Sequence, residues 1–199
     1  MASDLGALWD TWVSTLPHLA HLRVRRWVGT VDRSHSRVHV FCDTLGSAYG
    51  AAFYIRSCMV DGNVFHLACT KKLLAPLKKV TLPQLELMAA MMGARWLHYF
   101  SQATYIDSTE ATLWSDSTVA LGWICQNPNR KTFVCNRLTE IESYTSSSQR
   151  RLCPGKDNPV DLLSNGVTAE QLKTMYVWWR EPSWLAQPTK NWPQDTPPQ

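Results

Sequence analysis

Four acidic side chains, those of Asp43, Glu86, Asp116 and Asp161, stand in contexts where a carboxylate could do chemistry. Asp43 ends the apolar stretch 38–42, and Asp116 ends a short apolar stretch in the same way. A buried carboxylate costs several kcal/mol unless it is paired, hydrogen-bonded or bound to a metal. If the four acids converge, oxygen ligands without Cys or His indicate Mg²⁺ or Mn²⁺, and two such ions are typical of nucleases.

Each acid also has an ordinary structural interpretation. Asp161 and Glu86 lie near the starts of predicted helices, where a negative charge stabilises the helix dipole. Asp43 could form a turn and Asp116 could cap a helix, which are common roles for Asp at the end of a strand. The residues alone therefore leave both interpretations open.

Three strands are predicted before the first long helix. The stretch 37–43 alternates between apolar and polar residues, and AYGAAFYIRS and NVFHLACT follow it with strand-like composition. Because the three are adjacent in sequence, we expect an antiparallel meander. Pro83 then opens a long apolar helix, at a position where its missing N–H costs nothing.

The second half of the chain alternates between helix and strand. ATLWS predicts a short buried strand, with a helix over STVALGWI behind it and another over 133–144. A strand through 151–153 follows, and Asn158 has the position of an N-cap for a further helix. This order predicts an α/β fold with a mixed five-stranded sheet and helices on both faces.

The chain is predicted to consist of three parts. Residues 1–35 form an amphipathic lead-in helix, residues 36–181 form the main domain, and residues 182–199 form a Pro-rich flexible tail. The composition, 45% hydrophobic and 18% charged, is that of a globular protein. Because no apolar run could cross a bilayer and no signal-peptide pattern is present, an intracellular protein is expected.

Basic residues occur in dyads that would suit a polyanion. The formal net charge is only +4, so charge alone does not separate nucleic-acid binding from solvated surface. The dyads that could neutralise phosphates are Lys71 and Lys72, Lys78 and Lys79, and Arg130 and Lys131.

The histidines and cysteines do not predict a zinc site. His18 and His21 have helical spacing, and His35 and His39 lie near the first strand, but neither pair has a partner Cys or acid in a zinc pattern. The six cysteines include no CxxC pair, so buried free thiols are expected.

Six linked blocks, spanning about Val38 to Leu185, carry a resemblance to a known family. In this order they resemble the ribonuclease H domain of BEL/Pao-type retrotransposon polyproteins. The resemblance implies a ribonuclease H-like fold. It also implies that Asp43, Glu86, Asp116 and Asp161 are the catalytic acids and hold two Mg²⁺ ions, with Mn²⁺ as a substitute. The blocks are FCDTLGSAYGAAFYIRS, TKKLLAPLKKVTLPQLELMAAMMGAR, LWSDSTVALGWI, TFVCNRLTEIES, CPGKDNPVDLLSNG and WWREPSWL.

The resemblance further implies a substrate and a partner. The substrate is the RNA strand of an RNA–DNA hybrid, and the partner is a reverse transcriptase domain to which the lead-in helix connects. Such hybrids are recognised through their backbone, groove shape and 2′-hydroxyls. Contacts beside the acids are expected from Ser117, Thr118, Asn136 and Arg137.

Two departures and two alternatives accompany this hypothesis. The loop CPGKDNP has no histidine, where many ribonucleases H carry one, and Asn165 stands where a basic residue is expected. The first alternative is a catalytically inactive or domesticated module that serves as an interaction platform. The second is a three-acid metal nuclease or transposase, which would not need Glu86.

Overall fold

Alternating apolar residues form a mixed five-stranded sheet in the computed structural model, which describes residues 2–24, 36–59, 62–126, 131–161 and 168–194. The sheet has the order β3-β2-β1-β4-β5. β1, β2 and β3 form the predicted antiparallel meander, whereas β4 pairs with β1, and β5 with β4, in parallel. The strands are β1 (Ser36–Leu45), β2 (Ala48–Met59), β3 (Gly62–Leu74), β4 (Thr112–Ser115) and β5 (Arg150–Leu152).

Six α-helices lie among the described residues, and the longest begins where the sequence predicts. It carries a capping box formed by Thr81 and Gln84, and a proline stands in its first turn. It ends at Tyr105, which adopts a left-handed conformation with a φ of 58°. The helices are α1 (Ala2–Thr15), α2 (Leu82–Thr104), α3 (Thr118–Gln126), α4 (Thr132–Tyr144), α5 (Ala169–Thr174) and α6 (Tyr176–Trp179).

The three helices α2, α3 and α4 pack on one face of the sheet and form the main core with it. α2 approaches β1 most closely at Gly93. A Cβ atom at this position would lie 2.5 Å from the Sγ atom of Cys42, closer than side chains pack. Gly93 therefore sets how deeply α2 rests on the sheet, and with it the position of the N-terminal end of α2.

The opposite face is covered by the C-terminal segment, residues 176–194, instead of a second layer of long helices. Tyr54 of β2 donates its hydroxyl to the backbone carbonyl of Trp178 at 2.8 Å, and Leu185 is completely buried. The flexible tail predicted for 182–199 is therefore wrong for 182–194. Its apolar side chains bury the sheet's aromatic face, and the only regular element within 182–194 is a 3₁₀ helix over Thr189–Asn191.

The lead-in helix is present as α1, and a 3₁₀ helix over Leu16–His21 follows it where Pro17 interrupts the pattern. Its apolar side chains are not covered by the described residues: Leu5 is 70% exposed and Trp9 is 62% exposed. The connection over 25–35 and most of the helix predicted after Asn158 lie outside the described residues. None of the helices described is both long and apolar enough to span a bilayer.

Candidate active site

Asp43 and Asp116 lie side by side at the carboxyl ends of the paired strands β1 and β4 because of the strand register. Cys42 of β1 pairs with Ser115 of β4 in parallel, and the next residue of each chain is the aspartate. Adjacent strands lie about 4.8 Å apart, so two carboxylates project from neighbouring strand ends. The carboxyl ends of parallel strands are where open α/β sheets place their ligands.

Glu86 is brought to the same edge by the first turns of α2. The Ser117 hydroxyl donates a short hydrogen bond to Glu86 Oε2, and the same hydroxyl accepts from the backbone N–H of Ala120 at 3.0 Å. Ser117 thus caps the start of α3 and holds Glu86 beside Asp116 at the same time.

Asp161 is tied to the site through Asn158, which is almost fully buried. The Asn158 side chain donates from Nδ2 to the Cys42 carbonyl at 3.1 Å, and its Oδ1 accepts from the Val160 N–H at 3.1 Å. The Asp161 N–H donates to the Asn158 carbonyl at 3.2 Å. Asn158 therefore links the chain just before Asp43 to Asp161, and most of the helix that it is predicted to cap lies outside the described residues.

The loop before Asn158 also reaches the acids. A Cβ atom at Gly155 would lie 3.1 Å from Asp116 Oδ2, so this backbone runs directly against the carboxylate. Trp184 of the C-terminal segment donates from Nε1 to Asp157 Oδ2 at 3.3 Å. The loop without a histidine is thus part of the site, and Lys156 is exposed on it.

Burial and mutual repulsion disfavour the charged forms of two of the acids. Burial, and then the negative charges of Asp116, Asp161 and Glu86, raise the pKa of Asp43 from 3.8 to about 7. The Thr44 N–H, which donates to Asp43 Oδ1 at 2.6 Å, opposes this shift. Burial also raises the pKa of Asp116, and Glu86 and Asp161 add to the effect. All four acids therefore lie near enough to interact as like charges.

The donor set fits divalent cations. In the described parts of the chain, no Lys or Arg forms an ion pair with Asp43 or Asp116. Nor do any three His, Cys, Asp or Glu residues within those parts form a ready metal site. Carboxylates brought together in this way supply the hard oxygen donors that Mg²⁺ or Mn²⁺ prefers.

The four residues predicted to contact nucleic acid beside the acids are placed differently from one another. Ser117 is buried and oriented toward Glu86, whereas Thr118 is exposed at the first position of α3. Asn136 is exposed on α4. Arg137 bends back over its own helix, where its guanidinium carbon lies 3.4 Å from the centre of the Phe133 ring. Thr118 and Asn136 are therefore the more accessible of the four.

Most of the basic dyads lie toward the end of the sheet where the acids are. Lys72 shares a register row with Asp43 through Gly50, about 10 Å away across two strand spacings. Lys71 lies on the other face, with its Nζ atom 5.0 Å from the centre of the Trp96 ring. The exposed residues Lys78, Lys79 and Lys131 stand in the connection to α2 and before α4, and Arg130 lies outside the described residues.

Sequence reasoning missed what Ser117, Asn158 and Gly155 do for the acids. For Asn158 a signal existed, since it has the position of an N-cap before a predicted helix. For the helix after β4 the cap was expected at Asp116, whereas the Ser117 hydroxyl provides it. A cap pattern describes one helix end and does not show which distant residue the side chain also reaches. Gly155 stands in a Pro-Gly turn, and its approach to Asp116 is a tertiary contact that the turn pattern does not indicate.

The sheet order and the helix-covered face, with Asp43 and Asp116 directly after the last paired residues of β1 and β4, are those of a ribonuclease H-like α/β domain. The model of the Pao retrotransposon-like RNaseH-like domain matches residues 1–117. Because this match covers more than half of the chain, the protein belongs to that family, as the sequence resemblance indicates. The matched range, residues 1–117, includes Asp43, Glu86 and Asp116.

Several solved structures are similar to this chain. RNase H1 from the halophilic archaeon Halobacterium salinarum NRC-1 has 16% identity and a TM-score of 0.40, covering 68% of this chain and 97% of its own. The N-terminal RNase H domain of a Mycobacterium tuberculosis protein has 15% identity and a TM-score of 0.41, with coverages of 65% and 90%. LC11-RNase H1 in complex with an RNA/DNA hybrid has 13% identity and a TM-score of 0.44, with coverages of 69% and 99%. No curated protein sequence matches the chain significantly.

Proposed function

We propose that this protein is a metal-dependent endoribonuclease that hydrolyses the RNA strand of RNA–DNA hybrids made during reverse transcription. One observation carries the proposal: Asp43 and Asp116 directly follow the last paired residues of the parallel strands β1 and β4, and Glu86 and Asp161 are close enough to disfavour their ionisation. Membership of a retrotransposon RNaseH-like family supports the same chemistry.

The side chains have distinct roles in this proposal. Asp43 would contribute to both of two cation positions, Glu86 and Asp116 would help hold one, and Asp161 would help hold the other. The Thr44 N–H fixes Asp43 Oδ1, which leaves Oδ2 as the more accessible donor. When bound, Mg²⁺ or Mn²⁺ lowers the pKa of a water molecule and stabilises the leaving oxygen. Ser117 keeps Glu86 oriented toward the neighbouring strand end.

Hybrid recognition rests on backbone contacts in this proposal. The exposed lysines Lys72, Lys78, Lys79 and Lys131 would neutralise phosphates, and affinity would fall as salt concentration rises. Contacts to 2′-hydroxyls would mark the RNA strand. A reverse transcriptase domain upstream would be joined through α1, whose exposed apolar side chains offer it a surface. Cleavage would then take place where reverse transcription does, in the cytoplasm or a virus-like particle.

The test is cleavage of an end-labelled RNA–DNA hybrid in Mg²⁺ and then in Mn²⁺. We expect the wild type to cut only the RNA strand, leaving 3′-hydroxyl and 5′-phosphate ends, and Asp43→Asn to abolish cutting. Glu86→Gln should also abolish cutting, whereas a three-acid nuclease would tolerate it. Glu142→Gln is the matched control, because Glu142 is exposed on α4 and the same charge is removed.

The assay is carried out on the chain alone and with the upstream polymerase domain attached. A folded wild type that cleaves in neither form and in neither metal would contradict the proposal and favour the noncatalytic interaction module.

A further inference from the structure

A polar cavity lies on the sheet face that the C-terminal segment covers, toward the end of β1 opposite to the acids. Its volume is about 530 Å³. Arg37 and Arg56, which are register partners on β1 and β2, line it together with Arg151 of β5. Arg37 precedes Asp43 by six residues on the same strand, a separation of about 20 Å. The cavity is therefore separate from the candidate active site.

His39 lines this cavity and is 1% exposed. Burial, and then the positive charge of Arg56, lower the pKa of His39 to about 3, so the ring is neutral. Its Nδ1 atom accepts from the Trp114 Nε1–H at 3.3 Å, which places the single ring proton on Nε2.

The Nε2–H group of His39 has no hydrogen-bond acceptor among the residues that the structure describes. The ring meets that of Trp192 edge-on, with centroids 5.4 Å apart, and such a contact is weaker than a hydrogen bond. A buried donor left without an acceptor costs about 1 to 3 kcal/mol. The cavity wall thus contains a donor that a bound acceptor would satisfy.

The charges around the cavity also favour an anion. Among the described residues that line it, three carry guanidinium groups and one, Glu110, carries a carboxylate. Arg37 pairs with Glu110. Arg56 has a buried Nε without an acceptor in the described chain, and its guanidinium lies 5.8 Å from the centre of the Trp192 ring. Within the described part of the cavity wall, the His39 Nε2–H and the Arg56 Nε–H are therefore donors that an anion would satisfy.

We propose that this cavity binds a phosphate group, either of a free anion or of a nucleic-acid backbone. Guanidinium groups bind phosphate through paired, charge-assisted hydrogen bonds, and Arg56 and Arg151 reach the cavity from different strands. Phosphate supplies several acceptor oxygens on one centre, enough for two guanidiniums and the His39 Nε2–H. Trp192 closes the cavity beside Arg56, so its fluorescence reports occupancy.

The test measures binding by the full chain in EDTA, where the candidate active site is without metal. Tryptophan fluorescence and calorimetry follow titration with inorganic phosphate and, separately, with a short single-stranded DNA. Arg56→Gln is expected to weaken phosphate binding about tenfold, the effect of losing one charge-assisted hydrogen bond. Arg151→Gln, which alters the cavity from β5, should weaken it similarly. Lys173→Gln is the matched control, because it removes one charge from an exposed position on α5.

The two ligands separate the two sources of phosphate. Much tighter binding of the strand, with the same sensitivity to Arg56→Gln, identifies a nucleic-acid backbone, whereas similar affinities identify a free anion. No binding of either ligand at millimolar concentration overturns the proposal. So does equal weakening by Arg56→Gln and Lys173→Gln. Asp43→Asn should bind phosphate as the wild type does, so the outcome is independent of the nuclease assay.

Discussion

Asp43 is buried beside three other carboxylates, and this environment opposes its ionised form. Its pKa in the folded chain is raised to about 7, whereas an unfolded aspartate titrates near pH 4. Between these two pH values the folded chain holds a proton that the unfolded chain has released. The stability that this proton gives is present below about pH 4 and is lost as the pH rises through about 7.

We expect Asp43→Asn to stabilise the metal-free protein by about 1 to 3 kcal/mol at pH 8, because a neutral amide replaces a disfavoured charge. The variant should also lose part of the wild-type decrease in stability with rising pH. Urea denaturation in EDTA at several pH values measures both effects. With excess Mg²⁺ the order should reverse, since metal binding stabilises only the wild type. A metal-free variant less stable than the wild type at pH 8 would contradict this account.

Ser117 connects two functions in one hydroxyl, since it caps α3 and donates to Glu86. We expect Ser117→Ala to lower the cleavage rate, and to raise the Mg²⁺ concentration for half-maximal rate, by about tenfold each. Loss of the cap alone would cost about 1 kcal/mol of stability without changing the Mg²⁺ requirement. Ser117→Thr keeps the hydroxyl and should restore both values. If Ser117→Ala changes only the melting temperature, Ser117 has no role in positioning Glu86.

At the residue scale, the family resemblance allowed the four acids to be proposed as a set from sequence, but the residues that position them could not be predicted. The acids stand out because each is a charge at the end of an apolar stretch or in an apolar helix. Ser117 was predicted as a nucleic-acid contact because it follows Asp116 directly. Its orientation depends on where α2 lies relative to β4, which local sequence does not specify.

At the scale of elements, the close packing of α2 against β1 depends on the lack of a side chain at Gly93. We expect Gly93→Ala to destabilise the fold by about 1 to 3 kcal/mol, because the added methyl overlaps Cys42. Gly122 of α3 is the matched control, since a Cβ there meets nothing within 4 Å. Gly122→Ala should be neutral or stabilising by about 0.5 to 1 kcal/mol. Thermal denaturation of the two variants decides this, and equal melting temperatures would rule out a tight seat at Gly93.

The elements themselves were largely predictable, and the reason is periodicity. The meander, α2 and β4 each combine a clear apolar pattern with a turn or cap signal at the boundary. The C-terminal segment has no such period, and its prolines favour a flexible tail. Its packing is decided by Trp184, Leu185 and Trp192 meeting the aromatic face of the sheet, which is a tertiary effect.

For the molecule as a whole, the C-terminal segment completes a second hydrophobic core on the aromatic face of the sheet. We expect Leu185→Ala to cost about 2 to 4 kcal/mol, because the side chain is completely buried against that face. Leu77→Ala removes the same atoms from a fully exposed position and should leave stability unchanged. Urea midpoints of both variants test this. A Leu185→Ala protein as stable as Leu77→Ala would restore the flexible-tail prediction.

The pairing of β1 with β4 also has a consequence for the time at which activity arises. β1 finds β2 across one short turn, but its parallel neighbour β4 is separated from it by β2, β3 and all of α2. Contacts between distant parts of the chain form late, since a long loop must be closed first. The two aspartates meet only through this contact. If the proposed function holds, cation binding would require the nearly complete fold, and a nascent or partly folded chain would lack it.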